Sequence, residues 1–224
     1  MPSLMMRRGF PALFSAGTVL AVGALIILSS DLGPWARHMG LHIASMNVIA
    51  PLLAVLAVTR WPTLHSGGLV LWTSTILQVG LLSALHAPPV HNGLISFGGP
   101  QLVLHGLLLL IATSFWTSLL TLSGPRRWQA IPALMLTAKL VCLLGALLIF
   151  APRVLYGPSS HLTHVEEQMS AFQGLNDQHF AGLLMIAACP LSYLVAAVVI
   201  TAQLINLRDV SEARSWRRAR EIAG

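Results

Sequence analysis

The sequence predicts an all-α fold: a polytopic bundle of transmembrane helices with both termini in the cytoplasm. Of the 224 residues, 55% are hydrophobic and only 9% are charged, whereas a soluble domain carries about 25% charged residues. Apolar runs of about 20 residues, the length that crosses a bilayer core, recur along the whole chain. Because lipid offers no hydrogen-bond partner to an open backbone, each run is expected to be helical.

Six spans are predicted, and they leave little chain for a separate domain, so residues 1–224 are interpreted as one integral membrane domain. The spans cover roughly residues 10–31, 37–59, 68–86, 100–122, 129–151 and 177–206.

A short helix at about 164–173 is predicted to lie on the outer surface of the membrane. Val165, Met169 and Phe172 recur at helical spacing and form an apolar stripe. Gly174 follows them and is a typical stop signal for a helix. The pattern therefore predicts a surface helix that is separate from the sixth span.

The positions of the basic residues predict the orientation. The formal net charge is +6, which must be tested as a topology signal before a nucleic-acid partner is considered. In the six-span arrangement, ten of the twelve Lys and Arg residues in loops and tails fall on one side. Cytoplasmic segments are enriched in these residues, so that side is the cytoplasm. The predicted partner is the lipid bilayer, with no nucleic acid, and Lys139 remains inside the fifth span.

The histidines cluster on the opposite side. The chain has nine of them, and this topology assigns eight to the external side. The second, third, fourth and sixth spans each bring an imidazole to a similar depth near the outer interface. The eight are His38, His42, His86, His91, His105, His161, His164 and His179.

The segment HMGLHIASM predicts a ligand stripe, because His38, His42 and Met46 follow one another at i, i+4 and i+8. Residues four apart are neighbours on one face of a helix. Imidazole binds Cu, Zn, Fe and Ni, whereas a thioether selects soft Cu(I), so the combination favours copper. His86 and His105 lie at a matching depth and would complete the site. The alternative for each residue alone is a hydrogen-bonded interfacial histidine or a packed methionine.

The start of the sixth span supplies the last candidate. Asn176 or Asp177 is expected to cap this helix, and the Asp177 carboxylate is also expected to fix the orientation of a ligating imidazole. Gly182 is expected to let another helix approach closely. The predicted metal-site residues are therefore His38, His42, Met46, His86, His105 and Asp177.

Four motifs in series resemble the CtaG family of cytochrome c oxidase assembly factors. These are HMGLH at the start of a span with PLL after it, a helix that ends in His-x-Pro, a histidine at the start of the next span, and DQ followed by Gly and Met. Beyond HMGLH, the residues are Pro51, Leu52, Leu53, His86, Pro88, His105, Asp177, Gln178, Gly182 and Met185. The resemblance implies a multi-pass protein of the bacterial inner membrane that helps a haem-copper oxidase to mature, through copper delivery to its catalytic subunit.

Together these features predict a copper-binding assembly factor, a chaperone and not an enzyme, that holds Cu(I) at the periplasmic face. No nucleotide-binding loop and no catalytic Ser or Cys arrangement stands in the sequence. One alternative is a membrane cytochrome that uses the histidines as axial haem ligands. The other is a copper transport or resistance protein, which would need a polar path through the inner halves of the helices. Those halves are almost entirely apolar apart from Lys139, Gln78 and Ser or Thr.

Overall fold

The computed structural model describes residues 33–87, 90, 100–155 and 164–223, with side chains left out at 100–101, 164–172 and 207–223. Over these ranges the chain is helical and contains no strand. The helices are α1 (Pro34–Arg60), α2 (Gly68–Leu85), α3 (Pro100–Thr121), α4 (Ala130–Phe150) and α5 (His164–Ala223). A 3-10 helix, Gly124–Gln129, leads into α4 after a turn in which Gly124 adopts a positive φ of 66°. The first predicted span, residues 10–31, lies outside the described residues.

Five helical segments within the described ranges are long and apolar enough to cross a membrane, and each overlaps one of the last five predicted spans. They are Pro34–Arg60, Gly68–Leu85, Leu102–Thr121, Gly124–Phe150 and Gln173–Asn206. Their outward surface is also apolar, as the strongly exposed side chains of Leu69, Leu102 and Phe150 illustrate. These features indicate a multi-pass membrane protein, because such a surface suits lipid and not water.

The helices pack into one bundle. The first half of α1 contacts α5, its second half contacts α3, and α2 contacts both α3 and α4. At the crossing of α4 with α5, a Cβ on Gly145 would lie 2.9 Å from the carbonyl oxygen of Gly182, and a Cβ on Gly182 would lie 2.8 Å from that of Gly145. Only glycine fits at these two positions, so the expectation that Gly182 permits a close helix approach is confirmed.

A π-helical segment, Ser45–Ile49, interrupts α1 after about three turns. At its end the backbone N–H of Ala50 donates to the carbonyl oxygen five residues earlier. The next hydrogen bond of this kind would run from the backbone N–H of Pro51 to the carbonyl oxygen of Met46, but proline has no N–H. That oxygen therefore needs another partner. The indole Nε1–H of Trp116 on α3 donates to that oxygen at 2.9 Å. The π turn shifts the following positions by one residue, about 100° around the helix.

The prediction of a separate surface helix ending at Gly174 is wrong, because α5 continues without a break from His164 to Ala223. A glycine inside a helix costs only about 1 kcal/mol relative to alanine. Gly174 keeps a negative φ, and Val154 packs beside it, with its methyl carbons 3.5 and 3.6 Å from where a Cβ would stand. The helix on both sides of Gly174 is therefore favourable enough to outweigh the stop signal of this glycine.

Candidate metal centre

Three histidines from two helices converge near one end of the bundle. His38 and His42 lie one turn apart on α1, and His105 lies in the second turn of α3. One ring nitrogen from each falls within 4.8 Å of the other two. Among the His, Cys, Asp and Glu residues that the structure describes, this is the group with metal-ligand spacing. We call these three residues the histidine triad.

The rings of the triad are packed directly against one another. His38 Nε2 and His42 Nε2 are 3.1 Å apart. The His42 and His105 rings are stacked, with centroids 4.7 Å apart and planes 12° apart. His105 thus reaches His38 and His42 from another helix, whereas His179 of the sixth predicted span does not join them. The nitrogen positions are those of a group that could hold one metal ion between α1 and α3.

The innermost ring of the triad belongs to His42, which is only 2% exposed. Its Nδ1 is buried and has no hydrogen-bond partner within the described part of the chain. A buried nitrogen without a partner costs about 1–3 kcal/mol, so such atoms in native proteins call for an explanation. A metal ion bound at Nδ1 would be such an explanation, since imidazole binds transition metals through either ring nitrogen.

His86 lies beside the triad but faces a different partner. It follows the last residue of α2, and its ring centre is 5.3 Å from that of His42 and 6.0 Å from that of His38. Its Nδ1 donates a hydrogen bond to the carbonyl oxygen of Leu82 at 2.7 Å. Its Nε2 lies 3.2 Å from the Sδ of Met39. The Met39 sulfur thus contacts an imidazole, whereas the i, i+4, i+8 spacing points to Met46.

Met46, the third residue of the predicted stripe, lies inside the π segment, where the turn is wider, and its side chain is buried in the hydrophobic core. Its described hydrogen bond is through its carbonyl oxygen, to Trp116. The place of its sulfur in the ligand stripe stays a prediction.

Asp177 anchors the helix that carries two residues of the triad. Its two carboxylate oxygens accept hydrogen bonds from the backbone N–H groups of Trp35 at 2.8 Å and Ala36 at 3.1 Å. These are first-turn donors of α1, which have no partner within their own helix. A Cβ on Gly33 would overlap the carboxyl group of Asp177, so glycine is required there for the contact.

The predicted cap of the sixth span is therefore wrong: α5 does not begin at Asp177, and its carboxylate caps α1 from a distant point in the sequence. Its described hydrogen bonds go to backbone N–H groups and not to an imidazole. The contact nevertheless ties α5 to the start of α1, one turn before His38. The anchor therefore helps to fix the start of the helix that carries His38 and His42.

The remaining histidines are less informative. His179 lies half-buried on α5 and does not belong to the triad. His65 is exposed, and its Nδ1 lies 2.6 Å from the carbonyl oxygen of Thr63. His91 and His161 are outside the described residues, and the side chain of His164 is not described. Lys139 lies on the exposed face of α4, away from the bundle interior.

Sequence comparison decides the family. The family model described as cytochrome c oxidase caa3 assembly factor (CtaG) matches residues 6–206. This chain belongs to the CtaG family. The resemblance drawn from the four motifs is thereby confirmed, and the role of assembly factor is not a catalytic one. Comparisons with curated proteins and with solved structures give no match.

The structure shows how the CtaG motifs of this chain meet in space. HMGLH supplies two residues of the triad, and the histidine at the start of α3 supplies the third. The His-x-Pro motif at the end of α2 places His86 beside them. The DQ motif provides Asp177, which caps α1, and Gln178, which accepts a hydrogen bond from the backbone N–H of Leu155 at 2.8 Å. The motifs thus separate into candidate ligands and residues that position the helices.

Proposed function

We propose that this CtaG family member binds copper at the periplasmic face of the bacterial inner membrane and supports maturation of a haem-copper oxidase, without being an enzyme. The observation that carries the metal part is the convergence of three imidazoles within 4.8 Å. The oxidase part rests on family membership. The proposed partner is the oxidase subunit that receives the copper.

The choice of copper over other metals rests on the donor atoms. The triad offers imidazole nitrogens, which suit several transition metals, and it includes no carboxylate. The Met39 thioether lies against the neighbouring His86 ring, and thioethers favour Cu(I). A chaperone must bind its metal and later release it, which suits a small set of soft ligands near one end of the bundle.

The proposed orientation follows from the two ends of the bundle. Arg60 at the end of α1 and Arg126 before α4 lie at the end opposite the triad in an alternating bundle. Exposed Trp61 and Trp128 accompany them, and the combination is typical of the cytoplasmic interface. We therefore propose six spans, including residues 10–31, with both termini in the cytoplasm. Reporter fusions after Arg60, Arg127 and Gly224 should report cytoplasm, whereas fusions near Gly93 and Ser160 should report periplasm.

The decisive experiment combines metal analysis with genetics. The purified protein, loaded anaerobically with Cu(I), should retain copper after desalting and should show no Soret or α band in its optical spectrum. A strain that lacks the protein should grow by fermentation but have low activity of a copper-containing oxidase, with partial recovery in excess copper. Normal oxidase activity in that strain would refute the assembly role. Haem bands would favour the cytochrome alternative, and loss of copper tolerance alone would favour transport.

A further inference from the structure

We propose that the centre contains a second, softer metal position, formed by Nε2 of His86 and Sδ of Met39, that makes the protein selective for Cu(I) over Zn(II). This inference rests on the proposed copper function and specifies how the metal is chosen. The triad and the His86–Met39 position would be adjacent parts of one centre. The support for it is the hydrogen-bond geometry of His86, the burial of both side chains and their place on the helices.

The hydrogen bond to Leu82 determines which nitrogen of His86 carries the proton. A carbonyl oxygen can only accept, so the Nδ1 that lies 2.7 Å from it must be the N–H donor. In the neutral ring, Nε2 then has no proton and presents its lone pair. Facing it at 3.2 Å is the thioether of Met39, which also has lone pairs and no proton to donate. Two lone-pair donors that face each other form a contact that a cation can bridge.

Both side chains are buried inside the bundle: His86 is 4% exposed and Met39 is fully buried. The His86 ring centre is 5.3 Å from that of His42, so this pair adjoins the triad. A cation held between the ring nitrogen and the sulfur would therefore be shielded from water and would lie next to the three imidazoles.

The position of Met39 on α1 separates the two metal positions. One residue is about 100° around an α-helix, so the side chain of Met39 points away from that of its neighbour His38. His38 faces His105 on α3, with ring centres 5.3 Å apart, whereas Met39 faces His86 after α2. Two consecutive residues of the HMGLH motif therefore serve two neighbouring ligand sets, one of nitrogen only and one of nitrogen with sulfur.

The two ligand sets differ in the metal ions that they favour. Three imidazoles accept Zn(II), Cu(II) and Cu(I), so the triad alone discriminates poorly between them. Adding a thioether favours Cu(I), because soft sulfur ligands bind soft cations and contribute little to Zn(II) or Cu(II) affinity. We therefore expect Met39 to contribute to Cu(I) affinity and hardly at all to Zn(II) affinity.

The test compares Met39→Leu with Met185→Leu in the full-length purified protein. Leucine keeps the apolar volume and removes the sulfur, and Met185 is an equally buried methionine on α5. Met39→Leu should lower Cu(I) affinity at least about tenfold, which is about 1.4 kcal/mol, and leave Zn(II) affinity within about threefold. Met185→Leu should change neither. X-ray absorption of the Cu(I)-loaded wild type should show a sulfur ligand that is lost in Met39→Leu and kept in Met185→Leu.

Absence of a sulfur ligand in the Cu(I)-loaded wild type would overturn the proposal, whatever the variants do. Loss of that sulfur signal in Met46→Leu with its retention in Met39→Leu would overturn it in favour of the spacing rule. In both cases the proposed function would still stand if the protein bound copper and lost it when a triad histidine was replaced. A wild type that binds neither Cu(I) nor Zn(II) would instead refute the proposed function itself.

Discussion

The bundle holds two groups of buried polar side chains, and they are arranged in opposite ways. In the middle of the bundle, Asn47 donates to the sulfur of Cys189 at 3.6 Å and accepts from the hydroxyl of Ser192 at 2.8 Å. Nearby, the Gln78 amide donates to the Tyr193 hydroxyl oxygen at 3.2 Å. Donors meet acceptors of a different kind in each pair. We call these five residues the mid-bundle network.

In the candidate metal centre, by contrast, atoms that can bind a metal ion face one another. A ring nitrogen of His38 meets a ring nitrogen of His42, and one of the two must donate. A second nitrogen of His42 is buried with no partner in the described part of the chain, and a second pair brings an imidazole nitrogen against a thioether. An unpartnered atom alone does not distinguish the two regions, because Gln78 Oε1 in the mid-bundle network has none there either. The difference lies in the kind of atom: amides and hydroxyls in the network, imidazoles and a thioether in the candidate centre.

The two regions should respond differently to substitution. Membrane helices hold together partly through interhelical hydrogen bonds, each worth on average about 0.6 kcal/mol and at most about 2 kcal/mol. A change in the mid-bundle network should lower the free energy of unfolding and leave metal binding intact. A change in the triad should do the reverse, because its nitrogens contribute little to holding the helices together.

The largest effect is expected for His42→Leu. Leucine fills most of the volume of this buried ring but offers no ligand, so copper affinity should fall at least about 100-fold, or about 2.8 kcal/mol. The free energy of unfolding without metal should stay within about 0.5 kcal/mol, since removing an unpaired nitrogen offsets the altered packing. Competition with a Cu(I) chelator measures the first quantity and denaturant unfolding in detergent the second. Leu41→Ala, at a position 44% exposed, is the control and should retain copper.

An intermediate effect, and one on stability alone, is expected for Asn47→Leu. The substitution removes both hydrogen bonds of the side chain and leaves the Ser192 hydroxyl without its acceptor, so the free energy of unfolding should fall by about 1–2 kcal/mol. Copper affinity should stay within about threefold of the wild type, because the described hydrogen bonds of Asn47 go to Cys189 and Ser192 on α5 and not to the triad. Ser192→Ala removes only one of the bonds and should cost less. A loss of copper larger than the loss of stability would contradict the distinction between the two regions.

The smallest effect is expected for Asp177→Asn, which connects the two regions through α1. The asparagine carbonyl can still accept one of the two backbone N–H groups, although the favourable charge at the helix N-terminus is lost. Stability should fall by about 1 kcal/mol, and copper affinity should fall by less than about tenfold. If Asp177 instead oriented a ligating imidazole, as the sequence pattern suggested, the loss of affinity should reach about 10- to 100-fold. Isothermal titration of both proteins separates these outcomes.

A large part of the fold could be predicted because the bilayer restricts the choices. Apolar runs of sufficient length must be helices there, and the predicted spans therefore overlap the five observed ones. Boundaries set by weaker local signals were less reliable. Gly174 does not end a helix, because the helix continues through it with Val154 packed beside it. Asp177 does not begin a helix, because its carboxylate caps the distant start of α1.

The sequence by itself determined the helical class, the family and the histidine positions of the centre. The spacing of His38 and His42, one turn apart, is a property of any α-helix, and the family motifs are read residue by residue. Only the tertiary structure decided which partners complete the site. The approach of His105 depends on how α3 packs on α1. The contact of the Met39 sulfur with His86 depends on how the end of α2 approaches α1. Such contacts join residues far apart in the chain, and local spacing carries no information about them.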